Sequence, residues 1–331
     1  MKRFIYISVT FLILIAPGYK AAAQYYFYDN YSYDSPLMFE LGGSVGLMNC
    51  LTDIGGRSGL GKKFVKDLNI GNNQLNGSIY LSATYKEKIA IRLEGTFGHV
   101  KAYDSILKDV KATSQGRYER NLHFRSKISE FSLVAEFHPL FIFVDWPGKD
   151  RDPPYFSPYL AAGIGFFSFN PQAKLRGRNV DLQPLSLEGQ GFPQYPDRKP
   201  YKLSQINFPI GAGVRYELGP SFNLRAEFLY RILKTDYLDD VSTRYIDPSF
   251  FADNLSGVDI QNAIDLASNQ RTNTGPNSNI FRKTAGGIRG NPKNDDAYFS
   301  LVLKLGIRLG EIYNSSSDRN AAMKSRCPAR F

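Results

Sequence analysis

The residues able to act as ligands, bases or nucleophiles are few and dispersed. The densest group is acidic: Thr235-Asp236-Tyr237-Leu238-Asp239-Asp240 brings three carboxylates together. Carboxylates so grouped are hard oxygen donors that suit Ca²⁺, and they could also serve aspartyl-type hydrolysis. The favoured reading is plainer, a loop-ordering cluster paired to Arg244 or Arg231. Three histidines occur, His99, His123 and His138. A Ser-His-acid hydrolase could draw on His99 or His123, but no G-x-S-x-G singles out a serine. Gly163-Ile164-Gly165, Gly211-Ala212-Gly213 and Gly286-Gly287 lack the spacing and following helix of a phosphate-binding loop. No catalytic residue, metal or cofactor is therefore expected.

The elements that must position these residues are strands. The clearest runs from 298 to 309. Phe299, Leu301, Leu303, Leu305, Ile307 and Leu309 share one face, and Tyr298, Ser300, Val302, Lys304, Gly306 and Arg308 share the other. That period of two, sustained over this length, is what a tilted strand needs to cross a bilayer. A hairpin with the same pattern spans Gly77–Gly98 about a turn at 86–88, and another joins Ile206–Tyr216 to Phe222–Tyr230 about 219–221. Further strands fall near 38–49, 124–138 and 156–169. The total is eight antiparallel strands. Turns at 86–88, 139–155 and 219–221 alternate with long loops at 50–76, 101–123, 170–203 and 233–296. Short turns on one side and long loops on the other are the pattern of bacterial outer-membrane barrels.

The charges decide which face is outside. One set of faces carries almost no ions, while the other carries Glu40, Arg92, Glu94, Glu130, Glu136, Arg215, Glu217, Arg225, Glu227, Arg231, Lys304 and Arg308. A soluble sandwich or lipocalin also alternates, but it needs polar residues on its outer faces, and the faces read here as outer carry almost no charge. The expected fold is all-β, an eight-stranded transmembrane barrel of OmpA/OmpW-like size with long extracellular loops. Its narrow lumen would be filled by a salt-bridge network rather than open as a channel. Strand glycines would relieve crowding inside it.

The ends complete this plan. Lys2 and Arg3, the apolar run Phe4–Ala16 and Ala21-Ala22-Ala23 have the order of a signal peptide over residues 1–23. Its removal takes three cations and no acid from the formal +10, leaving +7. On an exported protein that excess gives no reason to expect nucleic acid as a partner. A Tyr-rich leader (24–37) with Tyr25, Tyr26 and Tyr28 precedes the barrel at 38–310, and a basic tail follows at 311–331. Both ends would lie in the periplasm. The leader's aromatics would serve as docking anchors, an interfacial belt or a disordered lead-in. Cys327 sits among Lys324, Arg326 and Arg330, a setting that favours thiolate. Cys50 would lie a barrel's height away, so an internal disulfide is not expected. Cys327 would form an intermolecular disulfide or remain an idle thiol.

Three loop strings carry a resemblance. They are Thr235-Asp236-Tyr237-Leu238-Asp239-Asp240-Val241-Ser242, the run Leu182–Gly191 containing Glu188 and Gln190, and Arg289-Gly290-Asn291-Pro292. With Phe124-Arg125-Ser126 and Phe169-Asn170-Pro171, they make residues 38–310 resemble the PorG-like barrels (the DUF6089 family) of Bacteroidetes. The resemblance implies a non-enzymatic outer-membrane component of the type IX protein secretion system. Its implied partners are outer-membrane lipids and the periplasmic ring of the lipoprotein PorK with PorN. The barrel would anchor that ring, docked through Tyr25, Tyr26, Tyr28, Lys324, Arg326, Arg330 and Cys327. The alternatives are a surface adhesion or ligand-binding barrel and a rim-sited hydrolase.

Overall fold

The computed structural model describes residues 37–55, 70–108, 115–144, 154–218, 221–267 and 285–309. The signal segment, the leader with Tyr25, Tyr26 and Tyr28, and the tail with Lys324, Arg326, Cys327 and Arg330 lie outside them.

Nine antiparallel strands follow in chain order: β1 (Leu37–Leu51), β2 (Gln74–Tyr85), β3 (Ile89–Tyr103), β4 (His123–Phe137), β5 (Phe156–Leu175), β6 (Arg178–Asp181), β7 (Ser204–Glu217), β8 (Phe222–Leu233) and β9 (Ala297–Leu309). Eight of them pair in a meander that β1–β9 pairing closes into a barrel, while β6 merely folds back on the end of β5. Closure pairs both edges of each of the eight barrel strands, which a sheet in hydrocarbon requires.

The alternation sets the barrel's inside and outside. Leu75 is 72% exposed, Ile79 67% and Val45 62%, whereas Arg92 and Lys304, on inward positions of β3 and β9, are fully excluded from solvent. Leu301, Leu303, Leu305, Ile307 and Leu309 of β9 all face out. An exterior of this kind is compatible with lipid and not with water. The chain is a transmembrane β-barrel.

Local chemistry explains the sharp turns. Lys86 and Glu87 both take positive φ (48° and 58°), and the Lys88 amide donates to the Tyr85 carbonyl at 3.0 Å. Two successive positive φ values give the turn a twist that matches the strands, and Lys88 completes a three-residue loop before Ile89 pairs with Tyr85. Inside, Gly42 and Gly306 face each other across β1–β9. A Cβ on Gly42 would lie 2.5 Å from the Tyr80 ring, so the glycine makes the space that this ring fills.

The long-loop end departs from the sequence reading. β3 continues to Tyr103 and β5 to Leu175, beyond the expected loop starts at 101 and 170. The loops are also folded. They contain the helices Gln115–Arg120, Ser249–Asn254 and Val258–Ala267. An apolar core that includes Ile54, Leu122, Leu182, Leu187, Leu238, Val241 and Phe251 roofs the upper barrel beside Phe124, Phe167 and Tyr298.

Candidate functional site

Two polar assemblies are built on this frame, one in the lumen and one in the roof. The first is set by the period of two, which aims ions from β1, β3, β4, β8 and β9 at the barrel axis. Arg92 lies 2.9 Å from Glu94, 2.7 Å from Glu227, and in direct contact with Glu136. Arg225 bridges Glu40 at 3.0 Å and Glu136 at 2.7 Å, and Lys304 bridges Glu94 at 2.6 Å and Glu227 at 2.8 Å. The Tyr80 hydroxyl donates to Glu40 at 2.6 Å and that of Tyr159 to Glu227 at 2.9 Å. Guanidinium and ammonium groups of Arg92, Arg225 and Lys304 stand 5.3–5.9 Å from the Tyr80 ring centroid.

Smaller tiers flank this centre. Toward the loops, Glu130 accepts from Arg231 at 3.2 Å and from the Tyr298 hydroxyl at 3.1 Å. Toward the turns, Arg308 pairs with Glu217 at 2.6 Å, and Arg215 contacts Glu87 and lies 3.9 Å from Glu217. At the central tier, Arg92, Arg225 and Lys304 are wholly buried. Ions paired in that position from several strands form a plug.

The roof brings the three loop strings together around one guanidinium. Arg289 donates to Glu188 at 3.0 Å, lies 3.3 Å from the Asp240 carboxylate and also donates to the Asp240 carbonyl. Glu188 further accepts from the amides of Ser242 (3.0 Å) and Thr243 (2.9 Å), the Thr243 hydroxyl (2.7 Å) and the Tyr237 hydroxyl (3.4 Å). The Gln190 side chain accepts from the Glu188 amide at 3.1 Å. Tyr201 donates to Asp240 at 2.8 Å and stacks on Tyr237 with centroids 4.8 Å apart. The expected partner of the acidic string is thus corrected: Arg289 holds Asp240, not Arg244 or Arg231. Arg231 points into the lumen onto Glu130 because it lies on an inward position of β8, while Arg244 donates to the Gly286 carbonyl at 2.8 Å.

The other carboxylates stitch loops to one another. Asp239 accepts from the amides of Ile54 and Val241, each at 2.9 Å, and Asp296 from that of Leu238 at 2.8 Å. Asp53 accepts from the Asn291 amide at 2.5 Å, and a Cβ on Gly290 would come within 2.6 Å of that carboxylate. Arg120 joins Asp104 (2.8 Å) to the carbonyls of Asp53 (2.8 Å) and Arg289 (2.5 Å). Nothing in the local sequence marked Asp53, Asp104, Arg120 or Tyr201, since their partners lie in other loops.

Burial dominates the titration of this group. Together with the Asp53 carboxylate, it pushes Asp239 up to about 7 and Asp236 up to about 9. Asp296 rises through burial and through Asp239 and Asp236 beside it. Burial also takes Asp240 to about 6 despite Arg289. Among the described residues, no group of three His, Cys, Asp or Glu is arranged to hold a metal ion. The chemistry that this arrangement provides is adhesion between loops.

The histidines do not converge. His99 and His123 lie near the loop ends of β3 and β4, and the His123 Nε2 accepts from the Lys174 amide at 3.0 Å. His138, beyond the other end of β4, lies 2.8 Å from the Ser157 hydroxyl and 3.5 Å from Glu136. All three members of that Ser-His-Glu string are buried, so no substrate reaches it. Cys50 is a buried free thiol.

No protein-family model matches the chain. No curated protein matches it either. Solved structures do. Neisserial surface protein A is 11% identical over 83% of this chain and 98% of its own, with a TM-score of 0.34. The attachment invasion locus protein Ail of Yersinia pestis, in complex with the heparin analogue sucrose octasulfate, is 10% identical over 82% and 97%, with a TM-score of 0.32. The outer membrane protein OprG of Pseudomonas aeruginosa is 10% identical over 83% and 96%, with a TM-score of 0.29. The assignment of this chain as a membrane-spanning barrel rests on its own strand closure and lipid-facing exterior.

Proposed function

We propose that this protein is a non-enzymatic outer-membrane component of a type IX secretion system that anchors the periplasmic PorK/PorN ring. The observation that supports it most is the meeting of Glu188, Asp240 and Arg289. The three loop strings that resemble PorG-like barrels lie far apart in the chain, yet they supply one buried cluster. A plugged lumen fits the same reading, because an anchor needs stiffness and no conduction. In this reading the turn end and both termini face the periplasm. Tyr25, Tyr26, Tyr28, Lys324, Arg326 and Arg330 supply the docking surface, and Cys327 forms a covalent link to the ring.

The test is the secreted proteome of a strain lacking this gene. Loss of many unrelated secreted proteins, with cargo held in the periplasm, is expected. An unchanged secretome overturns the secretion role. For the covalent link, Cys327→Ser is expected to abolish a high-mass species on a non-reducing gel, and an unaltered pattern overturns that part.

The folded roof favours a second reading, surface adhesion or ligand binding, since a packed loop core can present a fixed surface. Truncation at residue 311 separates the two. An anchor loses secretion while its roof stays intact, whereas an adhesin keeps binding to its surface partner.

A further inference from the structure

The outward face of the barrel is not uniform around its rim. Reading β3 from the turn end, the outward residues are Ile89, Ile91, Leu93, Gly95 and Phe97, then His99 and Lys101. On β4 they are Phe137, Ala135, Leu133, Phe131 and Ser129, then Lys127 and Arg125. Cross-strand register puts His99 opposite Lys127 and Lys101 opposite Arg125. On β5 the same two levels carry Asn170 and Gln172, with exposed Lys174 next above. On the far side of the barrel, the outward residues of β8 and β9 are uncharged from Phe222 to Ile232 and from Phe299 to Leu309, with exposed Lys234 next above Ile232.

Like charges placed directly opposite one another destabilise an antiparallel pair. Here Lys101 and Arg125 form such a pair, with Lys127 one level below, and among the described residues no carboxylate pairs with Lys101, Arg125, Lys127 or Lys174. Asp181 of β6, on the hairpin that extends β5, is engaged by the side-chain amides of Asn170 (3.0 Å) and Gln172 (2.6 Å). Generic snorkelling of cations toward headgroups would distribute them around the whole rim. Four of them cluster on three neighbouring strands, whereas Lys202 just before β7 and Lys234 just after β8 stand singly at this end, and that density calls for a discrete anion. Below them, Phe97, Phe131 and Phe166 are each more than half exposed and offer an apolar wall. An anion above an apolar wall, at the edge of a membrane-spanning surface, has the shape of a phosphorylated lipid.

We infer that Lys101, Arg125 and Lys127 form a docking site for the phosphorylated headgroup of a membrane glycolipid, whose acyl chains lie along Phe97, Phe131 and Phe166. Arg125 would take two phosphate oxygens through its planar fork, while the lysines act as point charges. The site depends only on the membrane-spanning fold, and its test on purified protein is separate from the test of the secretion role. Occupancy would fix the rotation of the barrel relative to its lipid shell and would orient the roof above it.

The full chain, refolded into phosphatidylcholine nanodiscs, is titrated with bis-phosphorylated lipid A and, separately, with the same lipid dephosphorylated. Binding of the phosphorylated lipid is expected, with a loss of at least about ten-fold in the variant K101Q/R125Q/K127Q. The variant K86Q/K88Q, altered at the other end of the barrel, is expected to bind as wild type. Retained heat-modifiability on gels shows that each variant is folded. Equal binding by the triple variant, or equal binding of the dephosphorylated lipid, overturns the proposal. So does complete displacement by an equimolar amount of inorganic phosphate, which would make the ligand a free anion.

Discussion

Arg289 carries more of the roof's polar contacts than any residue of its own string, and among the described residues the ion pairs to the Glu188 and Asp240 carboxylates both come from it. Replacing it by alanine leaves two buried carboxylates unpaired, a loss of about 3–5 kcal/mol. The expected result of Arg289→Ala is fast hydrogen exchange at the Ser242 and Thr243 amides, with the barrel still heat-modifiable. Asp239 behaves differently, since burial and the neighbouring Asp53 carboxylate raise its proton affinity in the fold. A carboxyl raised in this way adds stability that is complete below its ordinary value near 4 and falls as pH rises to about 7. Asp240, raised to about 6, acts in the same direction. Exchange at the Ile54 and Val241 amides is therefore expected to quicken between pH 4 and pH 7 beyond its intrinsic rate. Asp239→Asn, which keeps an acceptor and cannot ionise, is expected to flatten that dependence.

Among the elements, the β2–β3 turn shows how two neighbours can contribute with opposite sign. Lys86 holds a left-handed conformation and makes no ion pair among the described residues, so Lys86→Asn removes strain and is expected to stabilise by up to about 1 kcal/mol. Glu87 holds the same kind of conformation, yet its carboxylate meets the buried Arg215. Glu87→Gly relieves the backbone but strips Arg215 of its nearest partner. The expected outcome is a net loss of about 1–3 kcal/mol. Urea unfolding of both variants in lipid vesicles checks the pair, and a gain at Glu87→Gly would show that strain outweighs the ion contact.

For the assembled barrel, the central tier of Arg92, Arg225, Lys304 and their carboxylates determines permeation. These side chains converge on the axis from several strands and hold one another in ion pairs, so a passing ion would have to break a buried network. No steady conductance is expected from the protein in a planar bilayer, and a stable open level of porin size would refute the plug. Two regions of different stability follow from the same architecture. The barrel has a closed hydrogen-bonded ladder, while the roof depends on side chains between loops, so proteases are expected to trim the roof and spare the barrel.

How much of this could be read from the chain follows from where each interaction is made. Period-two alternation reports a strand whose faces meet unlike surroundings. Lipid on one side and ions on the other make that contrast strong, so Leu301–Leu309 and its eight-stranded setting were legible. The inward ions were legible as one set for the same reason, although which Glu meets which Arg depends on cross-barrel geometry. Where β3 and β5 rise past the apolar band, to Tyr103 and Leu175, both faces turn polar or meet protein, and the contrast fades. The roof lies beyond local reading altogether. Ile54 meets Asp239, and Glu188 meets Arg289, across spans of 185 and 101 residues. No periodicity records such pairings, because they come into being only when the closed barrel brings its loop ends within a few ångströms of one another.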